Sequence, residues 1–186
     1  VPFADASFMK KDEEQIIKPT IQGLKDGGLK YHGFVFIGLM KVGDDPFVIE
    51  YNCRMGDPET EVVMPRLKAD LVELLKATAE KKLVGMETET DERAAATVVA
   101  VSGGYPGEYR KGYEVSGLET VPDSSIVFQS GSINEDGKIL TNGGRVFCIT
   151  SFGDTVKDAV AHSNEAMKGI TFSEMNYRKD IGFEFF

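Results

Sequence analysis

Residues 49–61 read Ile-Glu-Tyr-Asn-Cys-Arg-Met-Gly-Asp-Pro-Glu-Thr-Glu, and their types and spacing suit metal and phosphate chemistry. Glu50 and Asn52 lie two residues apart at the end of an apolar run, and on a strand such residues point to the same face. A carboxylate and an amide carbonyl are hard oxygen ligands suited to Mg²⁺, which proteins usually hold with one or two groups plus substrate phosphates. Arg54 continues the alternation and is placed to reach an anionic oxygen. We therefore predict a strand end that carries a metal site and a phosphate-binding arginine.

The alternative for this stretch is a solvated strand end, because a short match such as Glu-x-Asn is often accidental. The flanking Arg54 and the turn Gly56-Asp57-Pro58-Glu59 favour the metal interpretation without deciding it.

A second candidate site is the loop Asn142-Gly143-Gly144-Arg145. Successive glycines allow backbone N–H groups to point into one concavity that suits an anion, and Arg145 adds donors for phosphate or carboxylate. The alternative is a plain hairpin turn, because Asn-Gly is the strongest short hairpin signal. A third glycine-rich loop, residues 102–107, contains no charged group, and we interpret it as structural or as a lid. The two arginine-bearing sites together suggest a nucleotide–metal complex and a second phosphorylated substrate.

Length and composition are those of a globular chain. The 186 residues suit one large domain or two small ones, with 41% hydrophobic and 27% charged residues. No apolar run approaches the roughly 20 residues that span a bilayer, and no secretory signal is visible, so we expect a cytoplasmic protein without a membrane partner. The net charge is −9 and no basic stripe exists, which argues against nucleic acid. The chain begins at Val1 without methionine, and we expect it to be a piece of something longer.

The cysteines and histidines are interpreted as structural. Cys53 and Cys148 are far apart in apolar surroundings, which predicts buried thiols rather than a disulfide. His32 and His162 have no ligand partner at useful spacing.

The elements that must position these residues follow from periodicity and turn signals. In the first half we predict a helix over 12–26, with a kink at Pro19 and an end at Gly27-Gly28. A hairpin of strands 33–41 and 46–52 follows. A second helix is predicted to begin at Pro65 and to run to about Leu83. The acidic segment 84–93 predicts a boundary between domains 1–84 and 85–186. In the second half we predict strands at 94–101, 113–116, 125–129, 138–140 and 146–151, and a helix over 155–168 with Gly169 as its cap.

Several longer strings resemble the phosphoribosylamine–glycine ligase family, also called glycinamide ribonucleotide synthetases, of the ATP-grasp superfamily. The string Arg-Met-Gly-Asp-Pro-Glu-Thr at 54–60 is the most specific of them. The others, in the order of the family, are Tyr-His-Gly-Phe at 31–34, Phe-Ile-Gly-Leu-Met at 36–40, Val-Ile-Glu-Tyr-Asn-Cys at 48–53, Pro-Arg-Leu-Lys at 65–68, Asp-Leu at 70–71, Val-Ser-Gly-Gly-Tyr-Pro at 101–106 and Asn-Gly-Gly-Arg-Val at 142–146. The resemblance spans nearly the whole chain.

The resemblance implies an α+β fold: the second half of an ATP-grasp domain, an antiparallel sheet with helices, followed by a small antiparallel β-rich domain with a packed helix. It implies an ATP-dependent ligase of de novo purine synthesis that joins glycine to 5-phosphoribosylamine through a glycyl phosphate. By similarity, Glu50 and Asn52 are ligands of Mg²⁺ or Mn²⁺.

We assign further roles as hypotheses within that resemblance. Arg54 would contact the transferring phosphoryl group, and Asp57 would act beside it at the reacting centre. Asp57, Glu59 and Thr60 would position the substrate amine or the ribose hydroxyls. The loop from Asn142 through Gly143 and Gly144 to Arg145 would hold the sugar phosphate.

The chain also departs from the family pattern. The complete enzymes are much longer, and the amino-terminal half that cradles ATP is missing. Many ATP-grasp enzymes place a metal-binding acid on the strand before Glu-x-Asn, whereas residues 31–40 contain no Asp or Glu. We therefore expect the isolated chain to bind metal weakly and to have no ligase activity. As partners we expect ATP, glycine, phosphoribosylamine and the missing amino-terminal half, and a homodimer is a further option. The alternatives are another ATP-grasp carboxylate–amine ligase and a non-catalytic binding fragment.

Overall fold

The structure is a computed structural model, and it describes residues 4–185. The α-helices are α1 Ala6–Asp12, α2 Lys18–Asp26, α3 Thr60–Arg66, α4 Leu71–Ala79 and α5 Val156–Met167. The strands are β1 Phe36–Val42, β2 Asp45–Asn52, β3 Leu67–Lys68, β4 Glu89–Thr90, β5 Ala94–Val101, β6 Ser125–Gln129, β7 Ser132–Glu135, β8 Lys138–Thr141 and β9 Arg145–Gly153. The predicted α+β class is confirmed.

The chain forms two compact units. The first comprises residues 1–56 and 69–88, and the second comprises residues 57–68 and 89–186. Within the second unit β3 pairs with β4, and Arg66 Nη2 donates to the carbonyl oxygen of Asp91 at 2.8 Å. These contacts tie the segment 57–68 to the second unit. The predicted domain boundary between residues 84 and 85 stays a prediction.

In the first unit, the helical segment before the hairpin is longer than predicted. It begins at Ala6, where the Asp5 side chain accepts from the Phe8 N–H, and a π-helical stretch, Glu13–Ile17, joins α1 to α2. The widened stretch lies directly before Pro19, whose missing N–H interrupts the regular ladder. The helix ends at Gly27-Gly28 as predicted, with Leu29 N bonded to Leu24 O.

The hairpin of β1 and β2 is confirmed, and its register contains a bulge. Gly38 pairs with Glu50 and Leu39 pairs with Val48, so Ile49 is left without a partner in the ladder. Such an extra residue shifts the alternation of side chains along one strand. It therefore determines which face of the hairpin Glu50 occupies.

The predicted helix from Pro65 is wrong. Pro65 lies inside α3, Leu67 is extended, and a separate helix α4 begins at Leu71 behind the N-cap Asp70. Asp70 Oδ1 accepts from the N–H groups of Val72 and Glu73, which satisfies donors that a helix start leaves unpaired. Proline is compatible with α3 because Thr150 Oγ1, at 2.9 Å, occupies the carbonyl of Glu61 that a residue-65 N–H would otherwise take.

In the second unit, β9 is the central strand of a sheet ordered β5-β9-β6, with both pairings antiparallel. The predictions for 94–101 and 125–129 are confirmed. Residues 113–116 form no strand and contribute only isolated bridges, Glu114 to Leu140 and Ser116 to Thr171. Instead β8 pairs with β7, which we did not predict, around a turn in which Asp136 and Gly137 have φ of 50° and 83°.

Helix α5 packs on this sheet through the predicted face. Val160, Ser163 and Met167 are buried, and Ser163 Oγ donates to the carbonyl oxygen of Ala96 at 2.8 Å. The main core consists of residues from β5, β9 and α5 and from the segment after α5. The helix ends at Met167 and its C-cap is Lys168, so the predicted cap at Gly169, which has no positive φ, is wrong.

The start of α5 offers a stability prediction. Thr155 Oγ1 accepts from Asp158 N, and the Asp158 carboxylate accepts from Thr155 N, which is a complete capping box. We expect Thr155→Ala to lower the free energy of unfolding by about 1 kcal/mol in denaturant titrations. Thr88→Ala, in an exposed connecting segment, serves as the control. Equal stability of the two variants would contradict a role for the cap.

Candidate functional site

The first group of candidate residues lies at the end of β2. Asn52 Nδ2 lies 3.0 Å from Glu50 Oε1, so the predicted convergence of the two side chains on one face is confirmed. Gly38 is the cross-strand partner of Glu50, and a Cβ built on Gly38 would lie 3.0 Å from Glu50 Cγ. Because glycine has no side chain, Gly38 leaves room for the Glu50 side chain across the hairpin.

The donor set at this strand end fits a divalent cation such as Mg²⁺. Glu50 is exposed and Asn52 is half-buried, so both are accessible. Rotation of the Asn52 amide by half a turn would present its oxygen beside the carboxylate. Among residues 4–185, no group of three or more His, Cys, Asp or Glu side chains is arranged to hold a metal. Two protein oxygens suit Mg²⁺, whose remaining positions are filled by water and phosphate.

Arg54 follows on the same segment. Its Nη1 donates to the carbonyl oxygen of Met55 at 2.8 Å, and the residue is exposed. The role of Arg54 toward phosphate stays a prediction, and a planar guanidinium suits it because it can bind two oxygens at once.

The second group lies in the second unit and joins two predicted residues that are far apart in sequence. Arg145 Nη2 lies 3.1 Å from Asp57 Oδ2, and Arg145 Nη1 donates to the Asp57 carbonyl oxygen at 2.9 Å. The following Asp57–Pro58 peptide bond is cis. Arg145 therefore holds both the side chain and the backbone of Asp57 with one guanidinium, a use that its fork geometry suits.

Glu59 and Thr60 lie next to this pair along the chain. Glu59 is exposed at the start of α3, and its carbonyl oxygen accepts from the N–H groups of Val62 and Val63. Thr60 is the first residue of α3. Their predicted contacts with substrate remain predictions.

The loop Asn142–Gly144 is shaped by packing rather than by hairpin geometry. It joins β8 and β9, which belong to different sheets, so the hairpin alternative is wrong. A Cβ on Gly143 would lie 2.8 Å from the Cα of Gly131, and a Cβ on Gly144 would lie inside the ring of Tyr105. Both glycines are needed for these close approaches.

The backbone of this loop does not have the conformation expected for an anion-binding concavity. Neither Gly143 nor Gly144 has a positive φ. The buried Ser102 occupies both carbonyls: its Oγ donates to Gly143 O and its N–H donates to Gly144 O, each at 2.8 Å. Ser102, at the start of the loop 102–107, thus makes structural contacts, and the choice between a structural role and a lid stays open for the rest of that loop. Phosphate binding by Asn142, Gly143 and Gly144 stays a prediction, and Arg145 is the member of the loop that presents charged donors.

The sequence analysis missed a half-buried acidic residue, Glu61, in the same unit as this pair. Glu61 Oε1 lies 3.9 Å from the Sγ of Cys148, and Glu61 Oε2 is buried without a hydrogen-bond partner in the part of the chain that the structure describes. Burial, followed by the charges of Glu61 and Asp57, raises the pKa of the Cys148 thiol to about 12. Cys148 and Thr150 lie two residues apart on β9, so their side chains share one face of the strand. This shared face is the feature of the sequence that could have indicated their common contact with Glu61.

The two cysteines differ in reactivity. Both are free; Cys148 is buried as predicted, whereas Cys53 is exposed because it lies just beyond the end of β2. We expect an alkylating reagent at pH 8 to label Cys53 at least about a hundredfold faster than Cys148, because only the accessible thiolate reacts. Peptide mapping after timed quenching measures this, and in denaturant the two rates should become similar. Comparable labelling of both residues in the native protein would contradict the buried position of Cys148.

The two histidines were predicted to be structural. His32 and His162 are exposed, and His162 Nδ1 lies 2.8 Å from the carbonyl oxygen of Phe152, which is a structural contact. No helix in the described part of the chain is long and apolar enough to cross a membrane. The predicted homodimer stays a prediction.

Comparison with known proteins matches both parts of the chain to one family. Residues 1–60 match the family model described as phosphoribosylglycinamide synthetase, ATP-grasp (A) domain, and residues 95–184 match the one described as the C domain of the same synthetase. A phosphoribosylamine–glycine ligase of Caldanaerobacter subterraneus is 43% identical over 97% of this chain, and that of Pasteurella multocida is 44% identical over 98%. A trifunctional purine biosynthetic protein of Gallus gallus is 40% identical over 98% of this chain.

Solved structures give the same result. The crystal structure of phosphoribosylamine–glycine ligase from Thermotoga maritima has a TM-score of 0.82 and 33% identity, covering 95% of this chain and 43% of that one. Urea carboxylase of Kluyveromyces lactis, at 16% identity and a TM-score of 0.56, shares the fold alone. The chain spans 43% of the length of each bacterial ligase named above. With both domain models and these relatives in agreement, the chain belongs to the phosphoribosylglycinamide synthetase family and corresponds to its carboxy-terminal portion.

Proposed function

We propose that the chain is the carboxy-terminal part of an ATP-dependent ligase that joins glycine to 5-phosphoribosylamine in purine biosynthesis. The observation that carries this proposal is the similarity to ligases of that name over nearly the whole chain. The convergence of Glu50 and Asn52 supports it, because ATP-dependent phosphoryl transfer needs a divalent cation on the phosphates. A cytoplasmic location accompanies the proposal.

The reaction divides between two transfers. In the first, an oxygen of the glycine carboxylate attacks the γ-phosphorus of ATP, which forms glycyl phosphate and releases ADP. In the second, the amine nitrogen of phosphoribosylamine attacks the acyl carbon, the bond to the phosphate oxygen breaks, and phosphate leaves with the electron pair. The amine proton passes to solvent or to a nearby carboxylate. Most of the catalytic effect in such steps comes from positioning and charge stabilisation.

Residues of the first unit would serve the phosphoryl transfer. Glu50 and Asn52 would hold Mg²⁺ or Mn²⁺, which when bound neutralises charge that develops on the phosphate oxygens. Arg54 would direct its fork to the transferring phosphoryl group, where a planar guanidinium can bind two oxygens at once.

Residues of the second unit would serve the amine substrate. Arg145 would bind the phosphate of phosphoribosylamine, with Asn142, Gly143 and Gly144 shaping the approach. Asp57 holds Arg145 in the described structure, so substrate phosphate would compete with or share this guanidinium. Exposed Glu59, with Thr60, would contact the amine or the ribose hydroxyls.

The experiment that tests the proposal is an assay of ADP release by the complete protein with glycine and phosphoribosylamine. We expect turnover that requires both substrates and a divalent cation. The same assay with a panel of other carboxylates and amines tests the second candidate, another ATP-grasp ligase. A preference for a different acceptor would overturn the substrate assignment.

A further expectation concerns residues 1–186 alone. The named bacterial ligases are more than twice as long as the part that matches, so we expect no turnover from the isolated chain. Turnover without a complementing polypeptide would contradict this. Calorimetric titration with Mg-ATP tests the third candidate, a non-catalytic binding fragment, which predicts no nucleotide binding by the chain on its own.

A further inference from the structure

The first unit contains a cavity that the proposed reaction does not use. Its volume is about 840 Å³, which lies in the range of sites for small molecules. Most of its lining is apolar and comes from the helical segment and from β1. The main contributors are Ile17, Ile21, Leu24, Leu29, Ile37 and Leu39.

One residue of the lining is a buried acid. Asp12 is only 6% exposed, and its Oδ1 has no hydrogen-bond partner in the described part of the chain. It lies one helical turn after the buried Phe8 and one before the buried Ile16, so it interrupts an apolar stripe that faces inward. Burial raises the pKa of its carboxyl, which reflects the cost of holding this charge away from water. A donor from a bound molecule would offset that cost.

The exposed part of the cavity lining carries positive charge, opposite to that of Asp12. Lys25, Lys30 and Lys81 all line the cavity and are exposed. Within residues 4–185, no side-chain hydrogen bond or ion pair engages the ammonium group of any of these three lysines. A simple cation would be repelled at these lysines, whereas a molecule with an anionic end would be attracted.

The cavity is separate from the candidate metal residues. Ile37 and Leu39 line it, and they alternate along β1 with Gly38, whose cross-strand partner is Glu50. Alternate residues of a strand point to opposite faces. The cavity therefore lies on one face of the hairpin, and Glu50 projects from the other.

We propose that this cavity binds a small zwitterionic molecule with an apolar body, whose amine donates to Asp12 and whose carboxylate or phosphate meets the lysines. The apolar body displaces water from the aliphatic lining, and the amine supplies the hydrogen bond that Asp12 lacks. The anionic end remains near solvent, where its pairing with lysine adds less. The ligand is thus defined by three features: a donor, an apolar body and an anionic group.

The test uses a matched set of probes with the complete protein. trans-4-(Aminomethyl)cyclohexanecarboxylate has all three features, cyclohexanecarboxylate lacks the amine, and cyclohexylmethylamine lacks the anion. Calorimetry and ligand-observed NMR measure binding. For a probe of this size we expect a dissociation constant of about 1 mM. We expect the probe without the amine to bind at least about tenfold more weakly and the probe without the anion about threefold more weakly.

Variants locate the binding. Asp12→Asn should weaken the complete probe at least about tenfold, while leaving cyclohexanecarboxylate unchanged. Asp26→Asn is the matched control, because Asp26 is an exposed acid of α2 outside the cavity lining, and binding should not change. Ile21→Trp, at a 61% exposed lining position, should fill the cavity and abolish binding without unfolding the chain.

A second measurement separates function from folding. Without ligand, Asp12→Asn should raise the melting temperature, because it removes a buried charge that has no partner. No saturable binding of the complete probe, or equal binding by the wild type and Asp12→Asn, would overturn the proposal. If another part of the complete protein fills the cavity, the complete probe will show no saturable binding.

Discussion

Glu50→Gln is expected to lower the turnover number of the complete protein by about a thousandfold or more. The substitution preserves the size of the side chain and removes the only formal charge of the Glu50–Asn52 pair. A divalent cation contributes several kcal/mol of charge stabilisation to phosphoryl transfer, and about 4 kcal/mol corresponds to a thousandfold in rate. The measurement is ADP release at saturating substrates over a titration of Mg²⁺.

The metal titration distinguishes a ligand from a structural residue. We expect Glu50→Gln to need a higher Mg²⁺ concentration for half-maximal rate, and Mn²⁺ to restore part of the activity. Glu14→Gln, an exposed acid on the π-helical stretch of the same unit, should behave as the wild type. An unchanged dependence on Mg²⁺ would refute the assignment of Glu50 as a metal ligand. If Glu50→Gln lowered the melting temperature along with the rate, the substitution would instead have caused a folding defect.

Arg145→Glu is expected to raise the KM for phosphoribosylamine by about a hundredfold and the KM for ATP by less than about threefold. Reversal of the charge removes the fork that would bind the sugar phosphate and places a second carboxylate beside Asp57. Initial rates measured at varied concentrations of each substrate separate the two constants. Equal effects on both substrates would refute this role of Arg145.

Two further variants control for the contact with Asp57. Arg145→Lys keeps the charge and loses the fork, so we expect an intermediate rise of about tenfold in the KM for phosphoribosylamine. Asp57→Asn keeps Arg145 and weakens the ion pair, which frees the guanidinium for phosphate. If Asp57→Asn raised the KM for phosphoribosylamine as much as Arg145→Glu, the intact ion pair rather than a free guanidinium would be needed for binding. A fall in the turnover number with little change in KM would instead fit the predicted role of Asp57 at the reacting centre.

Local patterns were sufficient for the elements that depend on short-range physics. The hairpin of β1 and β2, the strands β5 and β6, and the face of α5 follow from apolar alternation, helical period and turn residues within a few positions. The convergence of Glu50 and Asn52 was predictable for the same reason, since residues two apart on a strand share a face regardless of what surrounds them.

The wrong predictions arose where distant residues compete for one backbone group. Proline suits the first turn of a helix, which predicts a helix start at Pro65. Pro65 instead lies inside α3, where the Thr150 hydroxyl donates to the carbonyl of Glu61. Residues 113–116 have the composition of a strand, yet only isolated bridges reach them. Similarly, Asn142-Gly143 resembles a hairpin turn, but its flanking strands pair with different partners.

By itself, the sequence determined the family, the secondary structure of the hairpin and the identity of the charged residues at the candidate sites. These depend on residue order and on interactions between near neighbours. Tertiary structure alone decided that Arg145 holds Asp57 and that the carboxylate of Glu61 lies beside Cys148. It also decided that Asp12 lines a cavity, with its Oδ1 lacking a hydrogen-bond partner in the described part of the chain. Each of these depends on how strands and helices distant in sequence pack, because burial and long-range contacts, rather than residue type, set the charge environment of a side chain.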